Sequence, residues 1–326
     1  MLKIVVAAQL DDQALGELSR KYDVTHFEHQ IEDWSAVSRA DVLVLRGHLK
    51  VDRDWLDRAP CLGLIIKAGA GVDNIDVEEA SRRGIRVLTT PASATAVAEL
   101  SLLLLLAVRR RLLALVQAIR NGNWAEKYNS VGHQLRGSTL GILGFGRIGQ
   151  EMARIGHALG MNVLLYDRSP GVDAKRQAAA ECKAIFASLE TILQSADAVS
   201  IHMPSTPATR DMLGAAELAK LRPHAILINT ARADIVVRGP LMQALRTGAL
   251  AGAGFDVFYQ EPVPPNDPLL GLENVVCTPH VGAQTVETQR EIGRQVLAGI
   301  AHFDTRRVQE AQGTENVARC AVKNHP

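Results

Sequence analysis

Residues 139–150 read Thr139-Leu-Gly-Ile-Leu-Gly-Phe-Gly-Arg-Ile-Gly-Gln150, and this stretch decides the fold class. An apolar run ends at Leu143, and glycines follow at Gly144, Gly146 and Gly149 in the spacing G-x-G-x-x-G. The helix-favouring segment 150–159 comes next. A strand, a glycine turn and a helix in that order are typical of the first unit of a dinucleotide-binding sheet.

The glycine spacing has a mechanical reason. One glycine makes the tight turn, the next lets the backbone approach a pyrophosphate, and the third allows the helix to pack closely on the strand. The anion would then lie at a helix N-terminus, where unpaired N–H groups and the helix dipole favour negative charge. A glycine turn without any ligand is the alternative interpretation.

Asp167 lies eighteen residues beyond Gly149, at the end of the next predicted strand. A carboxylate there can accept hydrogen bonds from both ribose hydroxyls and repels a 2′-phosphate, so the sequence favours NAD over NADP. Arg168 follows directly, and its positive charge would weaken the preference for NAD over NADP.

Short apolar runs alternate with helix-like stretches along the whole chain, which predicts an α/β fold with parallel sheets. The first series predicts strands at 3–7, 24–27, 42–45, 64–67 and 86–88. The second predicts strands at 140–143, 163–166, 184–186, 198–202, 225–229, 253–256 and 275–277. Two doubly wound sheets are therefore expected.

Two long helices are predicted outside these series. Residues 92–120 contain neither Gly nor Pro and should form one connecting helix, with the domain boundary near its start. Residues 285–303 should form another, and we expect the tail after it to pack on the first domain. The basic triplet Arg109–Arg111 is interpreted as a solvated helix face.

Composition excludes several classes of protein. The chain has 326 residues, with 36 Lys plus Arg against 35 Asp plus Glu, so neither disorder nor an extended nucleic-acid surface is indicated. Its four cysteines form no C-x-x-C or Cys/His cluster, which argues against a disulfide framework and against a metal site. The most apolar run, 100–108, is too short to cross a bilayer, and no signal peptide is evident. A cytoplasmic protein without a membrane partner is expected.

Three later blocks carry a family resemblance: Asn229-Thr-Ala-Arg-Ala, Asp256-Val-Phe-Tyr-Gln-Glu-Pro and Thr278-Pro-His-Val-Gly-Ala-Gln-Thr. In order and spacing they resemble the D-isomer-specific 2-hydroxyacid dehydrogenases. The upstream run Lys67-Ala-Gly-Ala-Gly-Val-Asp-Asn-Ile-Asp looks like the substrate loop of the 3-phosphoglycerate dehydrogenase branch. The chain ends at residue 326, so we expect no regulatory domain of the kind that longer members of that branch carry.

The resemblance implies a Rossmann NAD domain, residues 99–289, inserted into a smaller flavodoxin-like substrate domain, residues 1–98 plus 290–326. It implies catalysis by Arg232, Glu261 and His280. It also implies two sets of binding residues. The cofactor set comprises Gly144, Gly146, Arg147, Ile148, Gly149, Asp167, His202, Met203, Thr230, Ala231, Asp256 and Gly282. The substrate set comprises Lys67, Gly69, Ala70, Gly71 and Arg232.

Hydride transfer at C2 of a 2-hydroxy acid requires a base for the hydroxyl proton, a cation for the carboxylate and a partner that orients the base. His280, Arg232 and Glu261 suit these roles chemically, because imidazole titrates near neutral pH and guanidinium matches a carboxylate. A strand-end His, a surface Arg and a surface Glu without function are the alternatives. For Lys67, a solvated strand-end lysine is the alternative to a contact with a phosphorylated substrate.

Three functions stay open at this level. The first is an NAD-dependent oxidoreductase that acts on a small D-2-hydroxy or 2-oxo acid, with 3-phosphoglycerate among the candidates. The second is an NAD-sensing, corepressor-like binding protein, and the third is another Rossmann enzyme such as a methyltransferase. The resemblance also implies a homodimer through the NAD domain. Burial of the apolar helix within the chain is the alternative to that dimer.

Overall fold

The computed structural model describes residues 1–28, 31–47 and 49–322. The chain forms two compact units, Met1–Ala92 with Gln284–Pro326 and Ser93–Ala283. The boundaries expected from the sequence, after 98 and after 289, lie six residues later in each case. At the first boundary the difference arises because the connecting helix begins at Ala94 and belongs wholly to the second unit.

The first unit contains a five-stranded parallel sheet in the order β2-β1-β3-β4-β5. Its strands are β1 (Lys3–Ala7), β2 (Asp23–His26), β3 (Val42–Leu45), β4 (Leu64–Lys67) and β5 (Arg86–Thr89). Its helices are α1 (Asp12–Lys21), α2 (Trp34–Ser38), α3 (Arg53–Asp57), α4 (Val77–Arg82) and α12 (Val286–Val322).

Both faces of this sheet are covered, which explains why β3 and β4 are apolar at nearly every position. On one face, the strands pack against Ile292, Val296 and Ile300 of α12. On the other face they pack against Trp55 and Leu56 of α3. The helix predicted over 285–303 is confirmed as the first part of α12, which begins one residue after the predicted start and packs on the first sheet. The packing predicted for the tail after residue 303 stays a prediction. Of the final twenty residues, 323–326 lie outside the described part of the chain.

The second unit contains a seven-stranded parallel sheet in the order β12-β11-β10-β9-β6-β7-β8. Its strands are β6 (Thr139–Leu143), β7 (Asn162–Tyr166), β8 (Ile185–Phe186), β9 (Ala198–Ile201), β10 (Ile226–Asn229), β11 (Gly252–Phe255) and β12 (Val275–Cys277). Its helices are α5 (Ala94–Arg109), α6 (Leu112–Arg120), α7 (Arg147–Ala158), α8 (Asp173–Glu181), α9 (Leu189–Ser195), α10 (Ala215–Leu218) and α11 (Arg238–Thr247). Every predicted strand is present within two residues of its expected bounds, and the predicted fold class is confirmed.

The strand order reverses at β6, which pairs with β7 on one side and with β9 on the other. In open α/β sheets this reversal opens a crevice beyond the carboxyl ends of the strands, where ligands bind. The glycine turn after β6 therefore lies at the expected binding position of the second sheet.

The prediction of one helix over 92–120 is wrong, because α5 ends at Arg109 and α6 begins at Leu112. Arg111 adopts a left-handed backbone with φ 51°, and the N–H of His133 binds the carbonyl oxygen of Arg109 at 3.2 Å. The carbonyl oxygen of Arg109 thus accepts an N–H group from a segment distant in sequence, in place of the N–H that would continue the helix. No glycine or proline marks this break in the sequence.

The interpretation of Arg109–Arg111 as a solvated face is also wrong for its first member. Arg109 is buried, and its guanidinium donates to the carbonyl oxygens of Asp197 and Gln134, each at 3.4 Å. Arg110 and Arg111 are exposed, as expected. No helix in residues 1–28, 31–47 and 49–322 is both long and apolar enough to cross a membrane.

Candidate active site

The glycine turn after β6 has a geometry that larger residues could not adopt. Gly144 has φ 99°, and a Cβ built there would lie 2.7 Å from the carbonyl oxygen of His202. A Cβ at Gly149 would lie 2.1 Å from the carbonyl oxygen of Gly144. Gly146 is the N-cap of α7 and faces open space. The turn therefore leaves room for a phosphate directly at a helix N-terminus.

A cavity of about 270 Å³ lies beside this turn. Its wall includes Gly144 and Gly146 from the turn, Asp167 from the end of β7, and His202 and Met203 from the end of β9. These are five of the twelve predicted cofactor residues. The position beside the switch point and the open glycine surface fit the adenosine half of a dinucleotide.

Asp167 is the acid predicted for the ribose. Its Oδ1 accepts hydrogen bonds from the Ser169 N–H at 2.8 Å and from Lys175 Nζ at 2.5 Å, and its Oδ2 accepts from the Phe145 N–H at 3.0 Å. Burial alone would raise the pKa of Asp167, but the bonds from Lys175, Ser169 and Phe145 outweigh it and lower the pKa. The carboxylate is therefore ionised at neutral pH.

His202 is buried, and its Nε2 lies 2.8 Å from the hydroxyl of Ser200. Burial lowers the pKa of His202 to about 3, so the ring is neutral at physiological pH. Its Nδ1 has no hydrogen-bond partner within the described part of the chain. His202 thus supports the cavity wall as an uncharged ring.

The three predicted catalytic residues follow three neighbouring strands. Arg232 comes after β10, Glu261 after β11 and His280 after β12, so all three leave the sheet at its carboxyl edge. His280 Nδ1 lies 2.7 Å from Glu261 Oε2, and Glu261 Oε1 accepts the Phe258 N–H at 3.0 Å. Glu261 can therefore hold the imidazole in one orientation and leave Nε2 for a reacting group.

Glu261 is held in its charged form. Burial would raise its pKa, but the hydrogen bond and charge of His280, the Phe258 N–H and the charge of Arg232 together lower it. Arg232 is close enough to influence Glu261 electrostatically, and its Nη1 donates to the Ala231 carbonyl oxygen at 2.7 Å. The structure thus brings an imidazole, a carboxylate and a guanidinium together.

Asp256 anchors the loop that carries His280. Its buried carboxylate accepts the Thr278 hydroxyl at 2.7 Å and the backbone N–H groups of Val281 and Gly282, each at 2.8 Å. Burial raises the pKa of Asp256, and these donors partly oppose that effect. His280 has φ 54°, a left-handed conformation that non-glycine residues adopt at a cost. The cofactor-binding role of Asp256 remains a prediction, and the structure adds this positioning role.

Asn229, at the end of β10, was not among the predicted site residues. Its Nδ2 donates to the Arg232 carbonyl oxygen at 2.9 Å, and its Oδ1 accepts the Ala231 N–H at 3.0 Å. Thr230, next in the chain, shares a hydrogen bond of 2.8 Å with the Ser101 hydroxyl of α5. The sequence signal was a polar residue that directly follows the buried run Ile226–Ile228.

The remaining predicted substrate residues belong to the first unit. Lys67, at the end of β4, is buried, and its Nζ lies 2.5 Å from Asn74 Oδ1, so it is not the solvated strand-end lysine of the alternative interpretation. Asn74 Nδ2 in turn donates to the carbonyl oxygen of Arg46 at 3.1 Å. Gly69, Ala70 and Gly71 form the turn after Lys67, partly exposed. Arg46, a second cation at the end of β3, was missed by the sequence analysis.

Among the described residues, no group of three His, Cys, Asp or Glu side chains is arranged to hold a metal ion.

Comparison with known protein families gives a match to residues 102–282, and the matching family is described as D-isomer specific 2-hydroxyacid dehydrogenase, NAD binding domain. A glyoxylate reductase of Thermococcus litoralis is 40% identical, over 92% of this chain and 93% of the relative. A hydroxypyruvate reductase of Thermotoga maritima is 37% identical, over 91% and 97%. A D-3-phosphoglycerate dehydrogenase of Methanocaldococcus jannaschii is 37% identical, over 92% of this chain and 57% of the relative.

A solved structure agrees with the sequence relatives. The D-lactate dehydrogenase of Aquifex aeolicus, crystallised with NAD and lactic acid, superposes with a TM-score of 0.83 at 25% identity. The match covers 95% of this chain and 98% of that one. The fold is thus shared over nearly the whole length of both chains.

Proposed function

Because the chain belongs to the D-isomer specific 2-hydroxyacid dehydrogenase family and is an NAD-binding oxidoreductase acting on CH–OH donors, we propose that it interconverts small 2-oxo acids and D-2-hydroxy acids with His280 as the acid–base residue. The observation that carries this proposal is the 2.7 Å pair between His280 Nδ1 and Glu261 Oε2, with Arg232 beside it. Family, reaction class and cofactor were all predicted from the sequence, and the comparisons confirm them.

When bound, NAD supplies or accepts the hydride at C2 of the substrate. The residues of the chain manage the proton and the charges. In the direction of reduction, His280 Nε2 donates a proton to the carbonyl oxygen while Glu261 stabilises the imidazolium that gives it. Arg232 binds the carboxylate and stabilises negative charge that develops on the oxygen. In the direction of oxidation the same imidazole, now neutral, accepts the proton.

We propose unphosphorylated acids of two or three carbons as the principal substrates, with glyoxylate and hydroxypyruvate first. Two of the relatives described above carry the names of reductases for these acids. The test is NADH consumption by the purified protein with glyoxylate, hydroxypyruvate, pyruvate and a branched 2-oxo acid in parallel, followed by chiral analysis of the product. Turnover of none of them, or formation of an L-product, would contradict the proposal.

A phosphorylated substrate is the second candidate, and the buried cation Lys67 favours it. The flexible ammonium is a point charge that suits the phosphate group of a phosphorylated acid. On this hypothesis, Lys67→Ala lowers kcat/KM for 3-phosphoglycerate about ten- to a hundredfold more than for glycerate. Measuring both substrates on the same variant cancels any loss of folded protein. Equal losses, or no turnover of 3-phosphoglycerate by the unaltered enzyme, would reject this candidate.

We propose that the enzyme is a homodimer through its second unit. Large apolar side chains stay exposed along α5, α6 and the segment that follows, among them Leu103, Leu106, Leu112, Leu113, Val116, Ile119, Trp124, Tyr128 and Val131. Contiguous exposed apolar surface of this kind marks interaction sites. Sedimentation should give twice the 35.2 kDa mass of the chain, and Ile119→Asp should shift it toward one chain. A monomer at micromolar concentration would refute the dimer.

The corepressor-like alternative finds no support in the relatives described above, which carry the names of reductases and dehydrogenases. Turnover comparable to that of other 2-oxo acid reductases would set it aside.

A further inference from the structure

The cavity beside the glycine turn carries more charge than the single acid predicted for it. Asp167, Arg168 and Lys175 all line its wall. Lys175 reaches the cavity from α8, with its side chain one-quarter exposed, and its Nζ lies 2.5 Å from Asp167 Oδ1. One carboxylate is therefore accompanied by two cations.

Hydrogen bonds within the protein occupy most of the accepting capacity of Asp167. The two oxygens of a carboxylate offer about four lone-pair positions. The Ser169 N–H and Lys175 take two of them at Oδ1, and the Phe145 N–H takes one at Oδ2. About one position remains for the two hydroxyls of an adenosine ribose. Asp167 thus stabilises a bound, unmodified ribose less than a carboxylate without hydrogen-bond partners inside the protein would.

The same contacts reduce the repulsion that Asp167 exerts on a 2′-phosphate. Lys175 compensates the charge of Asp167 directly, at ion-pair distance. Arg168 adds a guanidinium to the same wall, and its planar fork matches the oxygens of a phosphate. A phosphate at this position would meet a net positive wall with charge-assisted donors.

We infer that Lys175 is a specificity residue that admits the 2′-phosphate, so that the enzyme uses NADP(H) as well as NAD(H). Lys175 pairs with Asp167 when the ribose is unmodified and is available to the phosphate when it is present. The inference rests on the NAD site alone and is independent of which 2-oxo acid the enzyme reduces.

The test measures the binding of NADH and of NADPH to the full-length protein without a second substrate. Binding is monitored by energy transfer from the protein fluorescence to the nicotinamide. For the unaltered protein we expect the two dissociation constants to agree within about tenfold, a difference of no more than about 1.4 kcal/mol. Lys175→Met should raise the dissociation constant of NADPH by about tenfold relative to that of NADH. Lys175→Arg, which keeps the charge, should retain most of the NADPH affinity.

Arg176→Met is the matched control, because it removes the same charge from the next residue of the same helix, at an exposed position outside the cavity wall. If Arg176→Met weakened NADPH as much as Lys175→Met, the effect would be one of general charge and the inference would be overturned. Tight binding of NADH with exclusion of NADPH by the unaltered protein would also overturn it while leaving the NAD site intact. If neither NADH nor NADPH bound, both the assignment of the dinucleotide site and the inference about Lys175 would be wrong.

Discussion

Replacing Glu261 by Gln should move the pH profile of the reaction to lower pH. The substitution keeps the shape of the side chain and removes the negative charge 2.7 Å from His280 Nδ1. In the proposed mechanism, reduction requires the protonated form of the His280–Glu261 pair, and the negative charge of Glu261 stabilises that form. Without that charge the protonated pair is less favoured, so the alkaline limb for reduction and the acid limb for oxidation both shift to lower pH.

The size of the shift follows from the geometry. Both side chains are more than one-third exposed, at 52% for His280 and 38% for Glu261, so solvent screens the pair, and the dielectric constant of water gives the smallest attraction expected between them. Two opposite unit charges 2.7 Å apart then attract by about 1.5 kcal/mol. At about 1.4 kcal/mol per pH unit, the expected shift is about one unit, and somewhat less in physiological salt. The lowered pKa of Glu261 keeps its carboxylate ionised across the neutral range in which this comparison is made.

The assay is single-turnover oxidation of NADH by glyoxylate across a pH series, so that product release does not mask the proton step. The rate at the optimum should also fall, by less than the roughly 10²- to 10⁴-fold contribution of acid–base catalysis as a whole. Glu181→Gln, an exposed position on α8 with the same change in net charge, serves as the control. An unshifted profile for Glu261→Gln, or an equal shift for both variants, would refute the pairing of Glu261 with the proposed acid–base residue His280.

Three further predictions concern the same unit. His280→Ala should lower turnover about 10²- to 10⁴-fold with NADH affinity unchanged within about threefold, as measured by fluorescence titration; a parallel loss of affinity would place His280 elsewhere. Gly149→Ala puts a methyl group 2.1 Å from the Gly144 carbonyl oxygen and should abolish tight NADH binding and lower the free energy of unfolding by about 1–3 kcal/mol, whereas Gly239→Ala, where a Cβ meets open space, should do neither. Asp256→Ala removes the acceptor of two backbone N–H groups in the loop that carries His280. It should lower the free energy of unfolding in urea by about 1–3 kcal/mol per donor, and an unchanged free energy would contradict its anchoring role.

The strand positions and the glycine turn could be predicted because they depend on residues adjacent in the chain. Runs of four apolar residues such as 42–45 and 225–228 become strands wherever both faces of a sheet are covered. The spacing of Gly144, Gly146 and Gly149 likewise expresses local backbone geometry. The ordered blocks around Arg232, Glu261 and His280 indicated a family for the same reason, since each block is a short continuous segment.

Only the tertiary structure decided which polar groups meet across long distances in the chain. The break between α5 and α6 depends on His133, the burial of Arg109 depends on Asp197, and the charge around Asp167 depends on Lys175. None of these partners lies within a turn of helix of the residue it affects. Local propensity and hydrophobic periodicity contain no information on such pairs. These pairs form because packing of the sheets and helices removes water, so that each buried donor or charge must bond to a partner within the protein.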